Sequence, residues 1–161
     1  MTLEVGARLP DAEFIEMGAN GPETVTLSDL SKDRRIVLFA LPGAFTSTCT
    51  AAHLPSFMRT EADFRDKGVQ DIFCLSVNDP FVMGAWAEST GASKSGIRMI
   101  CDPGAIFTKA VEMDFTVPSI GLYNRSNRYA VVIDDGEIIA ANIDEPNVCD
   151  VSTGEKLLEQ L

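Results

Sequence analysis

The chain has 161 residues, 45% of them hydrophobic, with 24 acidic against 13 basic side chains and a formal net charge of −11. That length suits a single domain, residues 1–161, burying about 70% of its unfolded surface. The acidic balance disfavours nucleic acid and anionic membranes as partners, and no run approaches the roughly 18 apolar residues of a spanning helix. The first twenty residues show neither a basic n-region nor an apolar h-region, so a cytoplasmic protein is expected.

In chain order, Glu13–Ile15 and Glu23–Leu27 flank Gly18-Ala19-Asn20-Gly21-Pro22 and read as an N-terminal hairpin. Ile36–Leu41 is an unbroken apolar run, the pattern of a buried central strand. Beyond it Ala51, Ala52, Leu54, Phe57, Met58, Ala62 and Phe64 recur at near-helical spacing. A helix is expected from Cys49 to Asp66, capped by Thr48 or Ser47, kinked at Pro55 and ended at Gly68. Asp71–Val77 reads as the next strand, and Asn78-Asp79-Pro80 supplies a cap and a first-turn proline for a helix to about Ser89. Met99–Cys101 ends a short strand, and Asp102-Pro103 repeats the cap chemistry before a helix over Ile106–Met113. Asp135-Gly136, between Tyr129–Ile133 and Glu137–Ala141, is a type I′ hairpin signal. Ser152-x-x-Glu155 is a capping box for a last helix over Thr153–Leu161. Strand–helix–strand–helix closed by a hairpin and a helix is the thioredoxin-like α/β order, with a central mixed sheet flanked by helices.

Open α/β sheets place their sites where strands end and helices begin. Cys49 falls at such a point, in what should be the first turn of a helix. There the unpaired N–H groups and the positive end of the helix dipole favour an anion. Such sites lower a thiol from a pKa of about 8.5 to between ~3.5 and ~7.5. The approach Thr46-Ser47-Thr48 is polar, whereas Cys74 and Cys101 sit in apolar runs and read as core. Position 52 is Ala52, so a Cys-x-x-Cys disulfide shuttle is excluded, and a lone thiolate suits attack on an electrophilic oxygen. The four cysteines contain no close pair and His53 is the only histidine, which argues against both a disulfide scaffold and a zinc site. His53 lies one helical turn beyond Cys49, a spacing that gives a shared face and no more.

Pro42, Thr46 and Cys49 stand in the register Pro-x-x-x-Thr-x-x-Cys, which resembles the active-site pattern of the peroxiredoxins. The wider context, Ala40 to Thr46 and then His53-Leu54-Pro55, is similar to their type II subfamily, the peroxiredoxin-five-like branch. So are Ser76 to Met83 with Ala85-Trp86, Phe107-Thr108-Lys109-Ala110, Arg125 to Ala130, and Asp134-Asp135-Gly136, which together span nearly the whole chain in order. Ser47 departs from the proline common there. The resemblance implies a thiol peroxidase without cofactor: Cys49 attacks a hydroperoxide and becomes a sulfenic acid, Thr46 hydrogen-bonds the peroxide, Pro42 packs over the thiolate, and Arg128 supplies the cation. Arg125 is read as a loop charge. Hydrogen peroxide and organic hydroperoxides are the implied substrates, with Phe45, Phe115, Val117, Pro118, Ile120 and Trp86 as candidates for an apolar pocket, although residues of these types at these spacings are more often ordinary core. For re-reduction three routes stand open: a resolving Cys149, a resolving Cys74, or an external thiol from glutathione with glutaredoxin or from thioredoxin. Strand geometry sets Cys74 well back from the sheet edge, so its use would require local unfolding. A homodimer is expected from the resemblance. The alternatives are a peroxide-sensing regulator without significant turnover and a thiol-disulfide oxidoreductase or glutathione-dependent transferase on the same fold.

Overall fold

Period-two alternation organises the molecule around one strand. The computed structural model describes residues 1–161, the side chain of Cys49 excepted. In β3 (Arg35–Ala40), Val37 and Phe39 pack into one core while Ile36, Leu38 and Ala40 pack into another on the opposite face. A strand buried on both sides is why this stretch reads as a continuous apolar run. β3 pairs in parallel with β4 (Asp71–Ser76), which pairs in parallel with β5 (Ile97–Cys101). On its other side β3 meets β8 (Tyr129–Asp134) antiparallel, and β8 continues into β9 (Glu137–Ile143). The hairpin of β1 (Glu13–Gly18) and β2 (Gly21–Thr26) joins the far edge of β5, giving the order β2-β1-β5-β4-β3-β8-β9.

Helices cover both faces. Leu54, Phe57 and Phe64 of α2 (Leu54–Asp66), Met83 and Trp86 of α3 (Pro80–Thr90) and Leu157 of α5 (Gly154–Leu158) fill the core with Val37 and Phe39. Leu27 and Leu30 of α1 (Leu27–Ser31) and Phe107 of α4 (Ile106–Ala110) fill the other with Phe14 and Ile36. This is the expected thioredoxin-like arrangement, parallel strands first and an antiparallel pair last.

Local chemistry explains where elements begin and end, and corrects several expectations. Asp79 caps α3 as expected: its carboxylate accepts from the Val82 N–H at 2.9 Å, with Pro80 in the first turn. Asp135 and Gly136 both have positive φ (47° and 80°), the type I′ geometry. The expected cap at Thr48 or Ser47 is absent, because helical turns begin at Ser47 and the first main-chain bond runs from the Thr50 N–H to the Thr46 carbonyl. Cys49–His53 then forms a π-helical turn, and α2 proper starts at Leu54 with Pro55 in its opening turn. The widened turn directly before Pro55 accommodates the N–H that this proline lacks and the bulk of its ring. Asp102 accepts from the N–H groups of Ile106 and Thr108, yet Pro103 precedes the helix and Ala105 (φ 56°) stands at the cap. Ser152 is not the cap of α5; Thr153 is, accepting from Lys156 N–H. A small second sheet, β6 (Asp114–Val117) with β7 (Leu122–Ser126), was not expected; its half-exposed residues carry no apolar period.

Candidate active site

The loop leaving β3 is held from three directions. Its own Thr46 hydroxyl donates to the Gly43 carbonyl at 2.7 Å. From the end of β4, the Asn78 side-chain oxygen accepts from the Ala44 N–H (3.0 Å) and from the Ser76 hydroxyl (2.8 Å). From β7, Arg125 donates through Nη1 to the Pro42 carbonyl at 2.9 Å. Gly43 makes the last contact possible, since a Cβ there would lie 2.2 Å from Arg125 Nη1. Phe45 holds φ at 65°, an uncommon conformation for a bulky residue, and 58% of its surface is exposed. The turn beyond is tied to α3 by the Trp86 indole N–H, which donates to Thr50 Oγ1 at 3.0 Å. Cys49 opens the π-turn, a distortion that recurs at functional sites. Its side chain lies outside the described residues.

Arg128 stands at the entrance to β8 with 9% of its surface exposed, and its Nε has no hydrogen-bond partner among the described residues. A buried guanidinium donor left unpaired is costly unless something else uses it. Arg128, Pro42 and Asn127 border a cavity of about 310 Å³. Phe115 to Val117 and residues 145–148 also line it. Of the residues named from the sequence, Pro42, Arg128, Phe115 and Val117 border this one cavity. The other pocket candidates are elsewhere: Trp86 is fully buried core, and Phe45, Pro118 and Ile120 are exposed outside this cavity.

His53 is fully buried against Phe39 and Phe57, with Nε2 at 3.1 Å from the Ser152 carbonyl oxygen and 3.2 Å from the Ser152 hydroxyl. Burial pushes its pKa down from 6.5 to about 4; the Ser152 carbonyl opposes this, Arg128 reinforces it and Asp144 opposes it. The ring is therefore neutral at ordinary pH and serves as a tie between the π-turn and the segment before α5. Cys74 is fully buried, opposite Phe39 in the sheet, and Cys101 is fully buried in the same core. Burial, then the negative charges of Asp79 and Glu16, push the Cys101 thiol up to about 12, the state of a structural cysteine. Cys149 is half-buried in the segment between β9 and α5. Among the described residues no three His, Cys, Asp or Glu side chains gather into a metal-holding group.

Arg125, Asn78 and the Asp144–Ser152 pair were missed as site residues. Arg125 and Pro42 are 83 positions apart, so no local spacing marks their contact. Asn78 and Ser152 were legible only as helix-start residues, and each turns its side chain to another use.

Comparison with known proteins agrees with this architecture. Residues 4–158 match the Redoxin family model. The chain is 41% identical over 164 residues to the chloroplastic peroxiredoxin-2E-2 of Oryza sativa subsp. japonica, covering 99% of this chain and 73% of that protein. It superposes on reduced Prx3 from Vibrio vulnificus in complex with H2O2 with a TM-score of 0.92 at 36% identity, covering 98% of each chain. Peroxiredoxin 5 from Alvinella pompejana gives a TM-score of 0.84 at 31% identity, over 98% of this chain and 97% of that one. A Redoxin match over nearly the full length, together with peroxiredoxin relatives at this identity, means that the chain belongs to the peroxiredoxins, thiol-dependent peroxidases of thioredoxin-like fold, within their type II branch.

Proposed function

We propose that Cys49 is the peroxidatic residue and that the enzyme reduces both hydrogen peroxide and organic hydroperoxides. The Cys49 thiolate attacks the terminal oxygen of ROOH; the S–O bond forms as the O–O bond breaks, and RO⁻ leaves as ROH on taking a proton. Cys49 becomes a sulfenic acid, oxidised by two electrons, while the peroxide is reduced to alcohol or water. The observation that carries this reading is Arg128: a permanent, planar cation, buried at a cavity beside Pro42, whose Nε has no partner among the described residues. Such a group stabilises the thiolate and the charge developing on the departing oxygen. The Thr46 proton is committed to Gly43, so its hydroxyl oxygen is left to accept from the O–H of the incoming peroxide. Pro42, fixed by Arg125, limits water access to the thiolate.

Re-reduction follows through an external thiol, from glutathione with glutaredoxin or from thioredoxin, either directly on Cys49 or after a disulfide with Cys149. Thiol attack on the sulfenic acid forms the S–S bond and releases water, and a second thiol then restores the thiolate. Cys74 is the weakest candidate resolver, because its place in the central sheet would require β4 to open. A homodimer is part of this reading; exposed Phe45, Ile120 and Tyr123 supply apolar surface for a second copy to cover. The test is turnover with each reductant, with intact mass after one equivalent of peroxide. A loss of two hydrogens in the wild type that disappears in Cys149→Ser assigns Cys149 as resolver; a dimedone adduct on Cys49 in both proteins assigns the external thiol; no turnover with either reductant overturns the reading.

A further inference from the structure

We propose that Asp144 is a positioning residue that sets the enzyme's selectivity for organic hydroperoxides by holding residues 145–148 in place as one wall of the Arg128 cavity. The proposal rests on the peroxidase reading above.

Asp144 is 7% exposed. Its Oδ1 accepts from three successive main-chain N–H groups, those of Asp150 (3.1 Å), Val151 (2.8 Å) and Ser152 (3.3 Å), and its Oδ2 accepts from the Ser152 hydroxyl. One carboxylate thus closes the segment back on its own start. Both ends are anchored in turn. The Asp144 N–H donates to the Arg128 carbonyl at 3.0 Å, and Ser152 is bound to His53 of the π-turn. Between the anchors Glu145, Pro146, Asn147 and Val148 are all exposed, and one main-chain bond, Val148 N–H to the Glu145 carbonyl, links them internally. A stretch with so little apolar burial of its own takes its position from its ends.

The plain structural alternative is that Asp144 caps α5. The geometry does not support it, because Thr153 already caps that helix and the N–H groups bound by Asp144 all precede it. What Asp144 closes is the wall. Pro146 and Val148 line the cavity together with Phe115 and Val117, which gives it apolar surface. Hydrogen peroxide has no apolar part to rest there. The alkyl or aryl group of an organic hydroperoxide does, so wall position should be read in its KM and hardly in its kcat.

The experiment compares kcat/KM for cumene hydroperoxide and for hydrogen peroxide in the wild type, Asp144→Ala, Asp144→Asn and Val148→Ala. The expected result is a fall of at least fivefold in the cumene-to-hydrogen-peroxide ratio in Asp144→Ala, carried by KM. Asp144→Asn, which keeps an acceptor oxygen, should return to within twofold of the wild-type ratio. Hydrogen exchange at the amides of Asp150, Val151 and Ser152 should quicken at least tenfold in Asp144→Ala. If Asp144→Ala does not fold, Val148→Ala trims the wall directly and should lower the ratio on its own. A ratio that stays at the wild-type value in the folded variants, or equal losses for both peroxides, overturns the proposal. A wild type that turns over neither hydroperoxide would instead remove the peroxidase reading, and the proposal with it.

Discussion

Arg125 and Arg128 stand three residues apart, and their surroundings separate their duties. Arg128 is buried at the cavity with no partner for its Nε among the described residues, whereas Arg125 is half-buried and uses its guanidinium on the Pro42 carbonyl. Replacing Arg128 by Lys keeps the charge but loses the planar fork, so kcat/KM for hydrogen peroxide should fall about 100-fold, roughly 2.7 kcal/mol of transition-state stabilisation. Arg125→Ala leaves the reacting atoms untouched and frees the loop, so a smaller loss of about tenfold is expected, since one hydrogen bond to a charged donor contributes about 1.5 kcal/mol. Steady-state kinetics on the two variants checks the ranking, and an Arg125→Ala enzyme slower than Arg128→Lys would reverse the assignment. Arg128 was singled out by its context, Arg128-Tyr129-Ala130-Val131-Val132. Arg125 was not, because its partner is brought to it only by the fold.

At the scale of elements, contacts made between helices decide what local signals leave open. Gly154 opens α5, where a Cβ would sit 2.3 Å from Thr60 Oγ1 and 2.6 Å from the Ser56 carbonyl oxygen of α2. Gly154→Ala should therefore destabilise the fold by about 1–3 kcal/mol, since overpacking against backbone relaxes poorly. Thermal melting should show this as a fall of roughly 3–10 °C, and an unchanged Tm would mean that α5 is free to move away. The strands were legible wherever burial on both faces made the run apolar, as in β3 and β4. Helix α3 was legible from Asp79 and Pro80, and the last hairpin from Asp135-Gly136. The π-turn was hidden because the same apolar spacing fits an α-helix, and only the placement of Pro55 in the first turn of α2 resolves it. Ser152 showed the signature of a capping box, yet its hydroxyl goes to Asp144 and His53, both distant or outside the motif. Residues 114–126 gave no periodic signal because much of that small sheet faces solvent.

Across the whole molecule, the buried His53 couples the active-site turn to global stability through pH. Its pKa is about 4 in the folded protein against 6.5 when exposed, so between these values the unfolded chain binds the proton and the native state does not. This contribution is fully present above about pH 6.5 and is lost as pH falls toward 4, at up to about 1.4 kcal/mol per pH unit. Denaturant unfolding of wild type and His53→Gln at pH 7, 5.5 and 4.5 should show the wild-type advantage shrinking with acid; a constant difference would mean that His53 is solvated in the native state. The central claim, that this fold exists to present Cys49 to a hydroperoxide, is tested most directly by stopped-flow oxidation of the fully reduced protein with one equivalent of hydrogen peroxide, run beside Cys49→Ser. The account predicts oxidation orders of magnitude faster than that of a free thiol, with the new oxygen trapped by dimedone on Cys49, and neither event in the variant. Oxidation no faster than a free thiol, or an equally fast reaction in Cys49→Ser, would contradict it.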